Sequence, residues 1–328
     1  MKIKVNIAQI KPTLGNVNKN LEIMIKNIEK AISENADLVV FPELSLTGYL
    51  VKDMVPNVAI KKNTVPKELL ELSNKISIIF GAVEEDEDFR FYNSAFYLED
   101  GELKHVHKKV YLPTYGLFDE FRYFSKGDKF RAFDTKFGRF GILICEDAFH
   151  PSSSYILNED GCQYLFLLAN SPSRGGNGDK PSNLITWENL AKTYSSLYGM
   201  FVVFAHRVGY EDGVNFAGES KLFSPSGEIV AKLPLFDEAS ETLELDRAEI
   251  RRARIYTPTN KNEDIYLEAC THSSYANEHH RQMDDNERLE FMGDSVLQIW
   301  SATQLFLMEP KMREGQMTTL RAQTVCES

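Results

Sequence analysis

The chain has 328 residues, of which 43% are hydrophobic and 26% are charged, a balance typical of globular proteins and a length sufficient for two domains. Its formal net charge of −11 excludes a general nucleic-acid-binding surface, and its four widely spaced cysteines exclude a disulfide framework and indicate a reducing, cytoplasmic compartment. The first residues lack the apolar core of a signal peptide, and no apolar run is long enough to cross a bilayer, so we expect no membrane association.

The first part of the chain alternates strand and helix patterns. Residues 16–33 carry apolar side chains at three- and four-residue spacings and predict an amphipathic helix. Residues 69–74 predict a second, short helix. Strands are predicted at residues 3–9, 38–41, 76–83, 92–98 and 103–107, the last two of them joined by a turn at residues 99–101.

The same alternation continues to about residue 252. The predicted helices and strands of this part are helices at residues 150–158 and 186–198, strands at residues 138–145, 162–168 and 201–206, and a hairpin of residues 216–223 with residues 228–233. A Ser/Gly-rich loop at residues 170–176 either shapes a pocket or is a simple surface loop. Strands interleaved with helices favour a layered α/β fold.

Three chemically reactive side chains follow predicted strands. Glu43 lies just beyond residue 41, Lys109 just beyond residue 107, and Cys145 ends an apolar run. Taken singly, Glu43 and Lys109 are ordinary solvated residues, and Cys145 is an ordinary buried cysteine. Taken together, three reactive groups at strand ends can converge on one rim of a sheet, which is where α/β proteins keep their chemistry.

The motifs around these residues resemble the nitrilase, or carbon–nitrogen hydrolase, superfamily over about residues 1–258. The matching motifs are Phe-Pro-Glu at residues 41–43, Lys-x-Tyr-Leu-Pro at residues 109–113 and Ile-Cys-Glu-Asp at residues 144–147. The resemblance implies a four-layer αββα sandwich that assembles into a homo-oligomer. Within the superfamily, residues 112–124 resemble the glutaminase domain of glutamine-dependent NAD synthetases, although the Ser-Gly-Gly-x-Asp-Ser nucleotide motif of their second domain does not occur in this sequence.

The resemblance also implies a role for each reactive residue. Cys145 is the nucleophile, Glu43 is the general base, and Lys109 stabilises the oxyanion together with the backbone N–H of Glu146. Glu120 positions the substrate or the lysine. Because a neutral thiol is a poor nucleophile for an amide, the cysteine needs a neighbouring base or cation. Such a site takes a small amide substrate and needs no cofactor.

The character of the sequence changes at residues 259–262, which we interpret as a junction. From residue 260 onward, 12 acidic residues stand against 6 basic ones, and the β-type alternation stops. Residues 286–295 resemble the Asn-Glu-Arg-Leu-Glu-Phe-Leu-Gly-Asp-Ser signature of the ribonuclease III endonuclease domain, with Met292 in place of the leucine. We therefore predict a short, all-α, partial ribonuclease III segment at residues 263–328, which can be a natural fusion, a truncation or a joined reading frame.

This second resemblance implies a Mg²⁺ site. Glu287, Glu290 and Asp294 are three and four residues apart and therefore share one face of a helix. The resemblance implies that Glu290 and Asp294 hold Mg²⁺ and that Glu287 serves structure or dimer packing, whereas the simpler interpretation is a solvated acidic face. The family takes further carboxylates from a later helix that these residues do not include. Double-stranded RNA is thus expected as a partner only if other chains complete the site.

Three functions follow from these patterns. The main hypothesis is cysteine-dependent hydrolysis of a non-peptide carbon–nitrogen bond, such as a linear amide, through a thioester with release of ammonia. The second is metal-dependent cleavage of double-stranded RNA by the C-terminal segment, and the third is a catalytically idle binding module. Amidases, glutaminases, carbamoyl-amide hydrolases and nitrilases share the same three reactive groups, so the pocket loops decide the substrate.

Overall fold

The computed structural model describes residues 1–177 and 180–256, and beyond them the single positions 273, 286–288, 290, 303, 315 and 316. The chain divides into two units, residues 1–259 and 260–328. The prediction of an all-α segment at residues 263–328 lies outside the described residues, apart from those single positions. Within the described part of the chain, every helix is too short or too polar to span a bilayer.

Strands and helices alternate through the first unit, and each one predicted between residues 3 and 206 is present, with ends that differ by four residues at most. In chain order the elements are β1 (Lys2–Gln9), α1 (Val17–Ser33), β2 (Leu38–Val40), α2 (Val55–Val58), α3 (Lys67–Leu72), β3 (Ser77–Glu85), β4 (Phe91–Glu99), β5 (Glu102–Lys108), α4 (Glu120–Tyr123), β6 (Phe133–Thr135), β7 (Gly138–Ile144), α5 (Pro151–Glu159), β8 (Tyr164–Ala169), β9 (Gly176–Asn177), β10 (Lys180–Pro181), α6 (Ser182–Tyr198), β11 (Phe201–His206), β12 (Val208–Glu211), β13 (Val214–Ala217), β14 (Lys221–Phe223), β15 (Ile229–Lys232), β16 (Ala239–Asp246) and α7 (Arg247–Tyr256). Short 3₁₀ helices lie at Lys52–Met54, Lys62–Thr64 and Cys145–Phe149.

Two six-stranded sheets form the centre of the first unit. The first has the strand order β16-β1-β2-β3-β4-β5, and the second has the order β15-β14-β11-β8-β7-β6. In the first sheet β1, β2 and β3 are parallel and the flanking pairs are antiparallel. In the second sheet β7, β8 and β11 are parallel. The late strand β16 pairs with β1, so the chain returns to complete the sheet it began.

The sequence pattern of the strands explains why the two sheets pack face to face. Successive residues of a strand point to opposite faces, and in β2 the side chains of Leu38 and Val40 enter the core between the sheets while Val39 enters the core under the helices. Ile142 of β7 and its register partner Phe166 of β8 lie on the face of the second sheet that meets the first sheet, where Phe140 contacts both Phe166 and Tyr97 of β4. Apolar residues on both faces of these central strands therefore require a layer on each side.

Helices supply the two outer layers. The apolar face of α1 packs on the first sheet through Met24 and Ile28, and Asn16 begins that helix by accepting a hydrogen bond from the backbone of Lys19 at 3.1 Å. Trp187 and Ala191 of α6 pack on the outer face of the second sheet. The result is the four-layer αββα sandwich that the family resemblance implies, and it confirms the layered α/β fold predicted from the strand and helix pattern.

One predicted hairpin is shorter than expected. Residues 216–223 were expected as one strand, but only β14 pairs with β15. The reason is local, because Gly218 and Glu219 have φ values of 72° and 62° and leave the extended conformation. Phe216 and Ala217 belong instead to β13, which pairs with β12 in a separate two-stranded hairpin.

The topology brings four strand ends to one edge of the sandwich. β2 and β5 run in the same direction in the first sheet, and β7 and β8 run parallel in the second. The segment after β2 crosses closely over β3 at Gly81, where a Cβ atom would lie 2.2 Å from the backbone nitrogen of Leu44. Glycine at this position lets residues 43 and 44 approach the sheet.

Candidate active site

A buried lysine joins two carboxylates at the shared edge of the strands. The Nζ atom of Lys109, which directly follows β5, donates to Oε1 of Glu43 at 2.9 Å and to Oε1 of Glu120 at 2.8 Å. The side chains of all three residues are at least 95% buried. The structure thus brings together three of the predicted residues, which are up to 77 positions apart in the chain.

Two asparagines that the sequence analysis did not single out hold Glu43. The Nδ2 atom of Asn93, on β4, donates to Oε1 of Glu43 at 2.7 Å. Asn170, just after β8, donates its backbone N–H to Oε2 at 2.7 Å and its side-chain amide to the Glu43 carbonyl at 2.7 Å. Both carboxylate oxygens of Glu43 are therefore fixed. Asn170 is also the first residue of the Ser/Gly-rich loop at residues 170–176, and it links that loop to the site.

Cys145 lies at a sharp turn between β7 and the 3₁₀ helix Cys145–Phe149. Its φ of 45° places a side chain in the left-handed region that normally favours glycine, a strain that is common at functional sites. The residue is 6% exposed. Burial and the negative charge of Glu43 raise the pKa of the Cys145 thiol well above its ordinary value, with Lys109 opposing them. The Cys145 thiol is therefore neutral at rest, and it would need a base in order to act as a nucleophile.

Asp147 connects the cysteine turn to the lysine segment. Its Oδ1 atom accepts the backbone N–H groups of Val110 and Tyr111, both at 2.9 Å, and its Oδ2 atom accepts that of Ile144 at 3.1 Å. Oδ2 also lies 2.9 Å from Nε2 of the buried His107. Four contacts to one fully buried carboxylate thus hold the ends of β5 and β7 together.

The charges at the site are unequal, because one cation faces two carboxylates. Burial alone would lower the pKa of Lys109, but the charges of Glu120 and Glu43 raise it well above its ordinary value, so the ammonium is stable in the interior. Burial raises the pKa of Glu120 to about 7, and the charge of Lys109 opposes that shift while the charge of Glu43 adds to it. Glu120 consequently titrates near neutral pH.

A third acid and a second cation act on the groups around Cys145. Glu146, which follows the cysteine, accepts a hydrogen bond from the hydroxyl of Tyr115 at 2.8 Å. The guanidinium of Arg174, on the Ser/Gly-rich loop, lies 4.7 Å from the ring centroid of Phe118. Burial and the hydrogen bond to Glu146 raise the pKa of Tyr115 to about 12, and the charges of Cys145 and Arg174 also act on it. Tyr115 therefore links the acid next to Cys145 electrostatically to the guanidinium of Arg174.

The predicted metal ligands of the second segment are described only in part. Glu290 is exposed, and its backbone N–H donates to the carbonyl of Asn286 at 2.8 Å, as in a helical turn. Glu287 is exposed as well, and Asp294 lies outside the described residues. Among the residues that the structure describes, no group of three or more His, Cys, Asp or Glu side chains is arranged to hold a metal ion.

Comparison with known protein families gives two matches on separate parts of the chain, in the same order as the two resemblances in the sequence. The family model described as carbon–nitrogen hydrolase matches residues 4–255. The model described as ribonuclease-III-like matches residues 262–328. The chain also matches ribonuclease 3 of Geobacillus kaustophilus, with 50% identity over 86 residues that cover 24% of this chain and 35% of the relative.

Relatives of the first unit include proteins of different lengths. A glutamine-dependent NAD(+) synthetase of Acinetobacter baylyi is 32% identical over 255 residues, which cover 77% of this chain but 46% of the synthetase. The chain thus spans less than half the length of that relative. The crystal structure of Nit3 from Saccharomyces cerevisiae, a nitrilase-superfamily member, superimposes with a TM-score of 0.71 at 26% identity and covers 80% of this chain and 96% of Nit3.

Proposed function

We propose that this chain, which belongs to the carbon–nitrogen hydrolase family, hydrolyses a small linear amide, with glutamine as the first candidate, and releases ammonia through a thioester on Cys145. The observation that carries the proposal is the contact of Lys109 with Glu43 and Glu120 in a site whose charges act on the Cys145 thiol. A base, a cation and a sulfur nucleophile are the groups that acyl transfer from an amide requires.

The first half of the reaction forms the thioester. Glu43 accepts the proton of Cys145 as the sulfur forms a bond to the amide carbon. The oxygen of the amide becomes negatively charged, and the ammonium of Lys109 and the backbone N–H of Glu146 stabilise that charge. Glu43 then passes the proton to the amide nitrogen, the carbon–nitrogen bond breaks, and ammonia leaves.

The second half restores the enzyme. Glu43 accepts a proton from a water molecule whose oxygen attacks the thioester carbon. The carbon–sulfur bond breaks, the product leaves as a carboxylic acid, and the proton returns to the sulfur of Cys145. Glu120, through its contact with Lys109, positions the cation for both halves. This sequence of steps is balanced without a cofactor, and we propose that none is needed.

Two observations support glutamine as the substrate. The chain is similar to glutamine-dependent NAD(+) synthetases over its first unit. In addition, Glu146, Cys145 and Arg174 all act on the Tyr115 hydroxyl, and an acid and a guanidinium complement the ammonium and carboxylate of an α-amino acid. The proposal is a glutaminase-like amidohydrolase, and synthesis of NAD is not part of it.

Ammonia release measured over a panel of glutamine, propionamide, a ureido acid and a nitrile tests the proposal. We expect the highest kcat/KM with glutamine. Arg174→Ala is expected to raise KM for glutamine about tenfold, because it removes a charge-assisted hydrogen bond to the carboxylate, and to leave KM for propionamide unchanged. Equal effects on both amides, or no ammonia from any compound, would contradict this assignment.

We further propose a homo-oligomer. The outer helices α5 and α6 expose the apolar side chains of Tyr155, Ile156 and Ile185, which are 54%, 43% and 38% exposed. Apolar groups on the outer layer of a sandwich favour association with a second copy.

We propose a second function for residues 263–328, because the ribonuclease-III-like family model matches residues 262–328. Exposed Glu290, together with Asp294, provides the oxygen ligands that Mg²⁺ prefers, and Mg²⁺ when bound would supply an activated water for phosphodiester hydrolysis. Double-stranded RNA is the proposed partner, once further carboxylates come from other chains.

Cleavage of duplex RNA tests this second function. Cleavage that requires Mg²⁺ and is lost in Glu290→Gln would support it. The absence of cleavage at every Mg²⁺ concentration would exclude ribonuclease activity of the chain alone.

A further inference from the structure

Tyr49 contacts the site although no motif singled it out. Its hydroxyl donates to Oε1 of Glu120 at 2.7 Å, the same oxygen that accepts from Nζ of Lys109 at 2.8 Å. The other oxygen of Glu120, Oε2, is buried without a hydrogen-bond partner within the described part of the chain. The orientation of the Glu120 carboxylate therefore depends on two donors, and Tyr49 is one of them.

The backbone of Tyr49 is held by a buried charge on another element. Oε1 of Glu211, the last residue of β12, accepts the backbone N–H groups of Tyr49 at 2.8 Å and Leu50 at 2.6 Å. The other oxygen of Glu211 pairs with the guanidinium of Arg207, which is fully buried. A hydrogen bond to an ionised group is about twice as strong as one between neutral groups, so this contact anchors the loop firmly.

The ring of Tyr49 is held from two sides. It makes edge contacts with Phe118 and with Phe216 of β13, at centroid distances of 6.3 Å and 6.4 Å. The residue is 6% exposed. Burial raises the pKa of the Tyr49 hydroxyl well above its ordinary value, with the charge of Glu120 adding to the effect, so the hydroxyl keeps its proton and donates it.

We propose that Tyr49 is a positioning residue that acts through Glu120, and that the β12–β13 hairpin sets its place through Glu211 and Phe216. The proposal rests on the proposed function, since it assigns Tyr49 to the orientation of Lys109 during amide hydrolysis. Contacts run from Glu211 to Tyr49, from Tyr49 to Glu120 and from Glu120 to Lys109.

The contact has a measurable electrostatic consequence. The titratable groups that act on Glu120 are Lys109 and Tyr49, which favour its ionised form, and Glu43, which opposes it. Cys145 belongs to the same set of interacting groups. Removing the Tyr49 hydroxyl takes away one of the two bonds to the carboxylate, so the pKa of Glu120 should rise.

Tyr49→Phe tests the proposal, with Tyr97→Phe as a matched control. The hydroxyl of Tyr97 also donates to a buried carboxylate, that of Glu99 at 2.8 Å, but on β4 and away from the site. The first readout is the titration of the Glu120 carboxyl carbon by NMR with ¹³C-labelled glutamate, in which the Glu120 signal is the one lost in Glu120→Gln. The second readout is kcat for glutamine at pH 7.

We expect Tyr49→Phe to move the midpoint of Glu120 upward by about one pH unit and to lower kcat about tenfold, with little change in KM. Tyr97→Phe should change neither quantity. In a Glu120→Gln background the effect of Tyr49→Phe on kcat should vanish, since the two residues act in series. Glu211→Gln leaves the tyrosine intact and should also raise the titration midpoint of Glu120. It replaces Tyr49→Phe as the test if that variant does not fold.

An unchanged midpoint in Tyr49→Phe, or a changed midpoint with unchanged kcat, would overturn the proposal. A parent protein that releases no ammonia from glutamine would instead count against the proposed function. In that case the Glu120 midpoint still decides whether Tyr49 controls the carboxylate, because the titration needs no turnover.

Discussion

Cys145→Ala is expected to reduce ammonia release by about 10⁴-fold or more, because the variant lacks the sulfur that forms the covalent intermediate. Initial rates of ammonia formation from glutamine, with circular dichroism to verify folding, check this result. The matched control is Cys162→Ala. Cys162 is also a fully buried cysteine with a raised pKa, about 12 from burial, but it lies at the other end of the second sheet, before β8.

Cys162→Ala should retain the parent's kcat, since it removes a core thiol and leaves Glu43, Lys109 and Cys145 in place. If Cys145→Ala released ammonia at the parent's rate, the covalent mechanism would be wrong, and the first unit would be better described as a binding module. If both variants lost activity together, the loss would report a change in folding and not the removal of a nucleophile.

Lys109→Met is expected to affect both catalysis and stability. It removes the oxyanion cation, which should lower kcat by about 10²–10³-fold. It also leaves the buried carboxylates of Glu43 and Glu120 without their shared cation, which should lower the free energy of unfolding by about 3–5 kcal/mol. Steady-state kinetics and urea unfolding measure the two effects.

The stability loss in Lys109→Met should depend on pH. Burial raises the pKa of Glu120 to about 7 in the folded protein, above the value of an unfolded glutamate, about 4.3. A group with a raised folded pKa costs stability as the pH rises from its unfolded to its folded pKa. Because Lys109 opposes the rise of the Glu120 pKa, that pKa is higher still in Lys109→Met, and the variant goes on losing stability above pH 7, where the parent does not. The loss should therefore be larger at pH 8 than at pH 6, and Glu120→Gln in the same chain should remove this dependence.

Lys221→Met is the matched control for the lysine. Lys221 is also a buried lysine, 1% exposed, and pairs with Glu219 at 2.6 Å and Glu188 at 3.2 Å on the side of α6. Its replacement should lower stability while the folded fraction keeps the parent's kcat. A Lys109→Met variant with the kinetic behaviour of this control would show that Lys109 has only a structural role.

The order of elements in the first unit was predictable because it is encoded locally. The three- and four-residue spacing of α1, the alternation of β1 and the continuous apolar run of β2 need no knowledge of distant residues. The hairpin predicted for residues 216–223 was wrong in extent, because the left-handed residues Gly218 and Glu219 end one strand before the next begins. A backbone reversal of that kind has no periodicity to reveal it.

The reactive groups of the candidate site were predictable from the sequence, but the residues that hold those groups in place were not. Glu43, Lys109 and Cys145 each follow a strand, and parallel strands bring their carboxyl ends to one edge. Asn93 and Asn170 are 50 and 127 positions from Glu43, and neither stands in a motif. Tyr49 is 71 positions from Glu120, in a loop whose path depends on Glu211.

The amino-acid sequence by itself determined the family, the layered fold and the chemical groups available for an acyl transfer, because side-chain identity and hydrophobic spacing are local properties. Only the tertiary structure decided how Glu43, Lys109 and Glu120 share one interior charge balance, and which buried donors orient them. The physical reason is that a hydrogen bond forms only within about 3 Å. The partners of each carboxylate are therefore selected by the register of the sheets and the packing between them.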